Sequence, residues 1–258
     1  MKYLGLAAAS LCVLASCGGD NPAGPDDPGG TQPPPSQACR TYASARTIAS
    51  AFHDGARYAA SGTCAYSTET NELTCTDRYT EAPGGCGGTV LKTVTRFASV
   101  SDFVGEVSVV PPLVRSISTT TSASNLTCAT TPEGSSTGTS THTYSQGRLV
   151  KSWSSVFRRP PLGLPGPYTT TYTAWDASGR PITAYPPTII MSYDNGARTA
   201  TTVVSVRGAD RVDRPFRIVS GYDVSGNLTS TVMTDPLVAG DFMRMTVDNT
   251  ATARLCRE

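Results

Sequence analysis

His53-Asp54 is the one adjacent histidine–acid pair in the chain and the arrangement most suited to acid–base chemistry. A catalytic pair also needs a nucleophile, and no spacing indicates one nearby. Asp54-Gly55 is typical of a tight turn between strands, so we interpret His53 as a residue beside that turn. His142 lies in a Thr/Ser stretch and is expected on a strand surface. Hydrolase elbows, phosphate loops and dinucleotide fingerprints are absent from the sequence, which therefore predicts no catalytic residue and no enzyme.

Few residues in the sequence are suited to binding a metal ion or a ligand. The chain has two histidines and no Cys-x-x-Cys, which disfavours zinc. Asp176, Asp194 and Asp223 place one carboxylate in each of three turns, too few for the roughly six to eight oxygens that calcium takes. We predict no metal and no cofactor. Trp153, Trp175 and the tyrosines would stack sugar rings if they were aligned on an open face, and otherwise belong to a core.

The cysteines indicate disulfides. Apart from Cys12 and Cys17 near the N-terminus, an even set remains: Cys39, Cys64, Cys75, Cys86, Cys128 and Cys256. Residues 63–66 and 73–76 have the composition of two strands around a turn, and with Glu69-Thr70 as loop residues Cys64 falls opposite Cys75. We also expect Cys39 to bond Cys256 at the two ends of the domain, which leaves Cys86 with Cys128.

The first residues give the strongest indication of location. Lys2 precedes an apolar run from Leu4 to Leu14, and Leu14-Ala15-Ser16-Cys17 ends it before a polar stretch. The run is too short for a bilayer core, which needs about 20 residues. This pattern resembles the signal peptide and lipobox of a bacterial lipoprotein. The resemblance implies a signal peptide over residues 1–16 and lipidation of Cys17. Because Gly18 is not acidic, it also implies anchoring in the outer membrane, on either its periplasmic or its outer face.

A tether and a single domain are predicted after Cys17. Residues up to 37 are dominated by Gly, Pro, Asp and other polar types, and we expect a disordered spacer. Residues 38–258 are enough for one β-rich domain. Formal net charge is +1 with no basic cluster, which excludes a nucleic-acid partner. Low charge and abundant Thr favour strands over helices.

Four segments share an aromatic residue, a short polar stretch, a glycine and a following strand. They are Tyr144 with Gly147, Trp175-Asp176 with Gly179, Tyr193-Asp194 with Gly196, and Tyr222-Asp223 with Gly226. A fifth, Tyr66 to Leu73, has Asn71 where a glycine is expected. Each predicts a β-hairpin in which Asp closes the turn onto backbone amides two residues on, and Gly supplies a positive φ.

The order Tyr-Asp, two residues, Gly, Arg or Asn resembles the YD repeat of RHS-type proteins over roughly residues 140–232. The resemblance implies hairpins that join into a twisted sheet. It does not imply encapsulation, since the chain is too short to enclose a cargo. We predict an all-β antiparallel meander of hairpins in a large, twisted and partly curled sheet, with aromatics and valines on the concave face.

The predicted strands cover most of the domain, and helix is scarce. Ser101 is expected to cap a single helical turn over 101–106, and Thr130–Thr141 to form a mobile loop. The predicted strands are Thr89–Phe97, Leu149–Phe157, Tyr168–Tyr172, Pro187–Ser192, Thr199–Val206, Arg214–Val219 and Phe242–Val247.

Three functional hypotheses follow, of which the third is an enzyme built on His53 and carboxylates that converge only in space. The first is a non-catalytic, lipid-anchored envelope protein of structural or interaction type with an envelope protein as partner. The second is a module that binds glycan or lipid on a curled, aromatic-rich sheet. A deep aromatic-lined cavity would favour an internal ligand, and a filled interior would disfavour one.

Overall fold

The computed structural model describes residues 38–81, 88–106, 109, 111–124, 136–154, 168–186, 188–207, 213–237 and 239–257. The predicted signal peptide, Cys17, the tether, Cys86 and Cys128 lie outside the described residues.

The described chain is built almost entirely from strands. They are β1 (Cys39–Phe52), β2 (Arg57–Ser67), β3 (Glu72–Glu81), β4 (Val90–Phe97), β5 (Ser116–Ser124), β6 (Ser136–Ser145), β7 (Arg148–Ser154), β8 (Tyr168–Trp175), β9 (Pro181–Tyr185), β10 (Ile189–Asp194), β11 (Thr199–Arg207), β12 (Asp213–Tyr222), β13 (Leu228–Thr234) and β14 (Met243–Cys256). One short helix, α1 (Val100–Val104), follows β4. The all-β antiparallel meander predicted from the sequence is confirmed.

The sheet closes into a barrel rather than staying partly curled. Each strand pairs with its sequence neighbours, and β1 also pairs with β14, so that Cys39 lies opposite Cys256 and Phe52 opposite Met243. Closure gives both outer strands a partner, which an open sheet cannot do. The prediction of a partly curled, open sheet is therefore wrong, because the sheet is closed.

Two local predictions are wrong. Thr130–Thr141 was expected to be a loop, yet the described part of it, residues 136–141, belongs to β6. Thr is β-branched and suits a strand, whatever its frequency in loops. The helical turn begins one residue earlier than expected, because the Ser99 hydroxyl, not that of Ser101, accepts from the Asp102 amide at 3.2 Å.

The segment between β4 and β5 covers one end of the barrel, which we call the plugged end. Phe103 of α1 is completely buried, and its ring stacks on Tyr66 at 4.3 Å between centroids. Arg40 of β1 donates from Nη1 to the Phe103 carbonyl at 2.9 Å. Burial lowers the pKa of Arg40 to about 10. Both β1 and β14 meet at this end, so the domain begins and ends beside the plug.

The barrel interior mixes apolar clusters with polar pairs. Ile218, Met233, Met243, Met245 and Val247 form one cluster, and Leu149, Tyr172 and Ala184 form another. Burial of such side chains drives folding by roughly 25 cal/mol per Å² of apolar surface. The strands therefore alternate between a packed inner face and a solvated outer face, as closed antiparallel sheets require.

A buried ion pair crosses three strands inside the barrel. Arg46 of β1 donates to both carboxylate oxygens of Asp77 on β3, at 3.0 and 2.6 Å. Gly62 of β2 lies between them in the register, and a Cβ there would collide with the Asp77 carboxylate. The missing side chain is what lets the pair span β2.

Candidate functional site

Two predicted disulfides are present in the structure. Cys64 bonds Cys75 across β2 and β3, where the two residues are direct register partners. Cys39 bonds Cys256 across β1 and β14 at the plugged end. The remaining expected pair, Cys86 with Cys128, lies outside the described residues.

All four aromatic–glycine turns lie at the plugged end, because each joins a strand that runs toward that end to one that leaves it. The aspartates close these turns by accepting from backbone amides. Asp223 Oδ1 accepts from the amides of Ser225 and Asn227, at 2.8 and 2.9 Å. Asp176 Oδ1 accepts from Arg180 N, and Asp194 Oδ1 from Ala197 N, each at 2.8 Å. A bond from the amide two residues after the aspartate, as predicted, occurs only at Asp223. The bonded amides at Asp176 and Asp194 lie further along the chain.

Glycine supplies the positive φ in three of the four turns. Gly147, Gly179 and Gly226 have φ between 75° and 82°, as predicted. Gly196 does not, and the prediction is wrong there, because Arg198 takes φ 53° two residues later in the shorter turn. Asn71 stands in for glycine in the fifth segment with φ 52°.

The two histidines do not form a catalytic centre with other described residues. Asp54 and Gly55 form the β1–β2 turn, with Asp54 Oδ1 accepting from Ala56 N at 3.0 Å. His53 stacks on Phe242 at 4.9 Å between centroids. The interpretation of His53 as a turn-flanking residue agrees with this arrangement.

The His142 side chain is partly buried and contacts the buried Ser152, so the expectation that it lies on the strand surface is wrong. Its Nδ1 lies 3.0 Å from Ser152 Oγ, and that oxygen lies 3.4 Å from the Tyr172 hydroxyl. Burial lowers the pKa of His142 to about 4, so the ring is neutral at pH 7. Ser152 is buried, and no described carboxylate contacts the imidazole, so this network lacks the orienting group of a Ser–His nucleophile.

Charge divides the barrel into two parts. Strands β5–β10, which we call the hydroxyl segment, contain three charged residues, Arg148, Lys151 and Asp194, and are rich in Thr and Ser. The other strands, β11–β14 with β1–β4, form the ionic segment. Its exposed side chains include those of Arg57, Arg78, Lys92, Arg96, Arg217, Arg244 and Asp248.

Exposed large apolar side chains concentrate in the hydroxyl segment. Among the described strand residues they are Ile117, Trp153, Tyr185 and Ile190, which are 44%, 41%, 64% and 53% exposed. All four belong to β5–β10. Contiguous exposed apolar side chains often mark an interaction surface. We call the outward-facing group Lys151, Trp153, Thr171, Tyr185 and Ile190 the platform.

Register places the platform residues side by side. Lys151 of β7 lies opposite Thr171 of β8, which lies opposite Tyr185 of β9. Trp153 is two residues along β7 from Lys151, on the same face. Two strand spacings of about 4.8 Å and two residue steps of about 3.4 Å separate the Trp153 and Tyr185 backbones by about 12 Å. The two rings therefore flank a strip of threonine hydroxyls.

Trp153 and Tyr185 differ from Trp175 and Tyr193 in their hydrogen bonding. Trp175 donates from Nε1 to the Leu149 carbonyl at 3.0 Å, and the Tyr193 hydroxyl donates to the Pro181 carbonyl at 3.0 Å. Neither the Trp153 indole nor the Tyr185 hydroxyl has a hydrogen-bond partner among the described residues. The polar groups of Trp153 and Tyr185 are therefore available to a ligand.

No group of metal-binding side chains occurs among the described residues. In the same residues no helix has the length and apolarity needed to cross a bilayer. A depression of about 440 Å³ lies against β1, β2 and β14, with Ala49, Ser61 and Thr246 in its lining. It lies away from the platform and brings together no reactive side chains.

No family model, curated protein or solved structure matches the chain. Sequence reasoning named Trp153 and the tyrosines, Tyr185 among them, as possible sugar-stacking residues but missed Lys151, Thr171 and Ile190. The sequence did contain a pattern that indicates Lys151 and Trp153. Lys151 marks a solvent-facing position in β7, and period-two alternation then puts Trp153 on the same outer face.

Proposed function

We propose that the protein is a non-catalytic, lipid-anchored module of the bacterial cell envelope that binds glycan through the platform. The observation that carries the binding role is the exposure of Trp153 and Tyr185 with unused polar groups on a nearly uncharged face. The anchoring role depends on the Leu14-Ala15-Ser16-Cys17 pattern.

Glycan suits the chemistry of this face better than lipid does. Sugar rings offer C–H surfaces to aromatic faces and hydroxyls to hydroxyls. Thr141, Thr143 and Thr171 are exposed around the two aromatic residues. An acyl chain would leave these hydroxyls without partners, and burying an unpaired hydroxyl is costly. A sugar can instead exchange hydrogen bonds with them.

The open edge needed for binding by strand addition is also missing from this barrel. Because β1 and β14 pair, every described strand has neighbours on both sides. An extended peptide therefore has no described edge to extend. Side chains on the outer face are the available recognition elements, and this again favours the platform.

Affinity electrophoresis of the purified domain tests the proposal. The probes are soluble xylan, polygalacturonate, phosphomannan and peptidoglycan fragments. We expect binding to at least one probe, with a loss of about tenfold for Trp153→Ala and a similar loss for Tyr185→Ala, as for removal of a well-placed aromatic contact.

Leu237→Ala is the matched control. Leu237 is 68% exposed but lies in the turn after β13, away from the platform. Its substitution is expected to leave binding unchanged. The glycan proposal would be overturned if the wild type bound none of the probes, or if the wild type and both aromatic variants bound equally well.

A further inference from the structure

We infer that the glycan bound by the platform is acidic and that Lys151 contacts its carboxylate or phosphate group. This inference rests on the proposed function and specifies its ligand class. It starts from the three charged residues of the hydroxyl segment, which differ in position and in their contacts.

Arg148 and Asp194 are placed at the ends of their strands and make contacts with nearby groups. Arg148 begins β7 and lies 5.9 Å from the centroid of the Trp175 ring. Asp194 ends β10, and its carboxylate accepts from the Ala197 amide within the turn. Both residues are at the plugged end, remote from the centre of the platform.

Lys151 is central and has no described partner. It is exposed, lies between Thr143 of β6 and Thr171 of β8, and is two residues from Trp153. Its ammonium makes no ion pair or hydrogen bond with the described residues. No acidic residue occurs in β5–β9, so the described strands around Lys151 carry no compensating charge.

Lys151 is next to Trp153 on the same face of β7 and in the same register row as Tyr185, so a ligand that spans the two aromatic residues passes beside its ammonium. Removing water from an ammonium is unfavourable unless an anion or several acceptors replace it. An anionic group on the sugar would form a charge-assisted hydrogen bond there. A neutral sugar would offer only hydroxyl oxygens. Charge complementarity therefore selects acidic over neutral glycans at this position.

Matched ligands isolate the charge. Polygalacturonate and its highly methyl-esterified form share one backbone, and the ester removes the carboxylate charge. Phosphomannan and its dephosphorylated form give the same comparison for phosphate. We expect the wild type to bind at least one acidic form at least tenfold more tightly than its neutral counterpart, and we expect added salt to reduce this preference.

Matched variants isolate the residue. Lys151→Met keeps the length of the side chain and is expected to abolish the preference by lowering affinity for the acidic form. Lys151→Arg is expected to retain it. Lys92→Met, which removes an exposed lysine from β4 in the ionic segment, is expected to change neither value.

The outcomes separate the inference from the function beneath it. Equal binding of acidic and neutral forms by the wild type, or equal losses from Lys151→Met and Lys92→Met, would overturn the role of Lys151. If Trp153→Ala still weakens binding in that case, the platform stands. If Trp153→Ala and Tyr185→Ala leave the binding of all forms unchanged, the proposed function fails as well.

Discussion

The ionic and hydroxyl segments belong to one continuous barrel but are held together differently. In the described residues, the ionic segment contains both disulfides, the Arg46–Asp77 pair and the methionine-rich cluster. The hydroxyl segment relies on its smaller apolar cluster and on contacts such as Ser140 to Ser154 at 2.9 Å. The difference teaches that the stabilising links and the proposed binding surface lie on different strands, so a change in one segment should leave the property of the other intact.

Loss of the Cys39–Cys256 bond should have the largest effect on stability. The bond closes a sequence separation of 217 residues, against 11 for Cys64–Cys75. Loop-closure entropy predicts losses of about 5 and about 3 kcal/mol in the free energy of unfolding. Guanidinium denaturation of Cys39→Ser/Cys256→Ser and Cys64→Ala/Cys75→Ala measures both. Glycan affinity of the folded variants should be unchanged, and a large loss of affinity would contradict the division between segments.

Breaking the buried ion pair should have the next largest effect. Asp77→Ala leaves Arg46 without its buried partner, and we expect a loss of about 3 kcal/mol in the free energy of unfolding. Gly62→Ala should act through the same pair, so the double variant should be less destabilised than the sum of the two.

The exposed pair Arg244–Asp241 provides the control for that measurement. Asp241→Ala breaks a pair with 63% and 34% exposed side chains, and we expect a loss below about 1 kcal/mol. Equal losses from Asp77→Ala and Asp241→Ala would show that burial gives the interior pair no special weight.

His142 should give the hydroxyl segment a smaller, pH-dependent effect. Its pKa in the folded state is about 4, against about 6.5 for an unperturbed histidine. Between these values the unfolded chain binds the proton and the folded chain does not, so stability falls as pH drops from about 6.5 to about 4. The difference between these pKa values corresponds to about 3 kcal/mol, of which we expect about 2 kcal/mol because the imidazole is partly exposed to solvent. Urea denaturation of the wild type and His142→Gln across this window should show a shallower pH dependence in the variant. Parallel curves would refute the assignment.

Local features of the fold were predictable from the sequence, whereas among the long-range ones only the Cys39–Cys256 bond was. The turn between Cys64 and Cys75 fixed their register, because a short loop leaves few alternatives. Strand β4 was located by its alternation of Thr, Lys and Val. Closure depends on the pairing of β1 with β14, whose residues are far apart in sequence, and no local pattern specifies such a partner.

The platform was only partly predictable for a related reason. Trp153 and Trp175 are the same residue type on neighbouring strands, yet one faces solvent and the other donates to a carbonyl of β7. The Lys151 position indicates the face of Trp153, but Tyr185 ends a short strand with little alternation to read. Its place beside Thr171 follows from strand pairing, which the three-dimensional structure provides.

The bond at the plugged end also has a mechanical consequence. A load applied to the chain ahead of residue 38 reaches β1 first, and by itself this strand would peel away one backbone hydrogen bond at a time. Because the Cys39–Cys256 disulfide joins the two strands covalently, it transmits the same force directly to β14. Both strands must then separate together, so the β1–β14 pairing should resist a pulling force on the preceding chain far better than either strand alone.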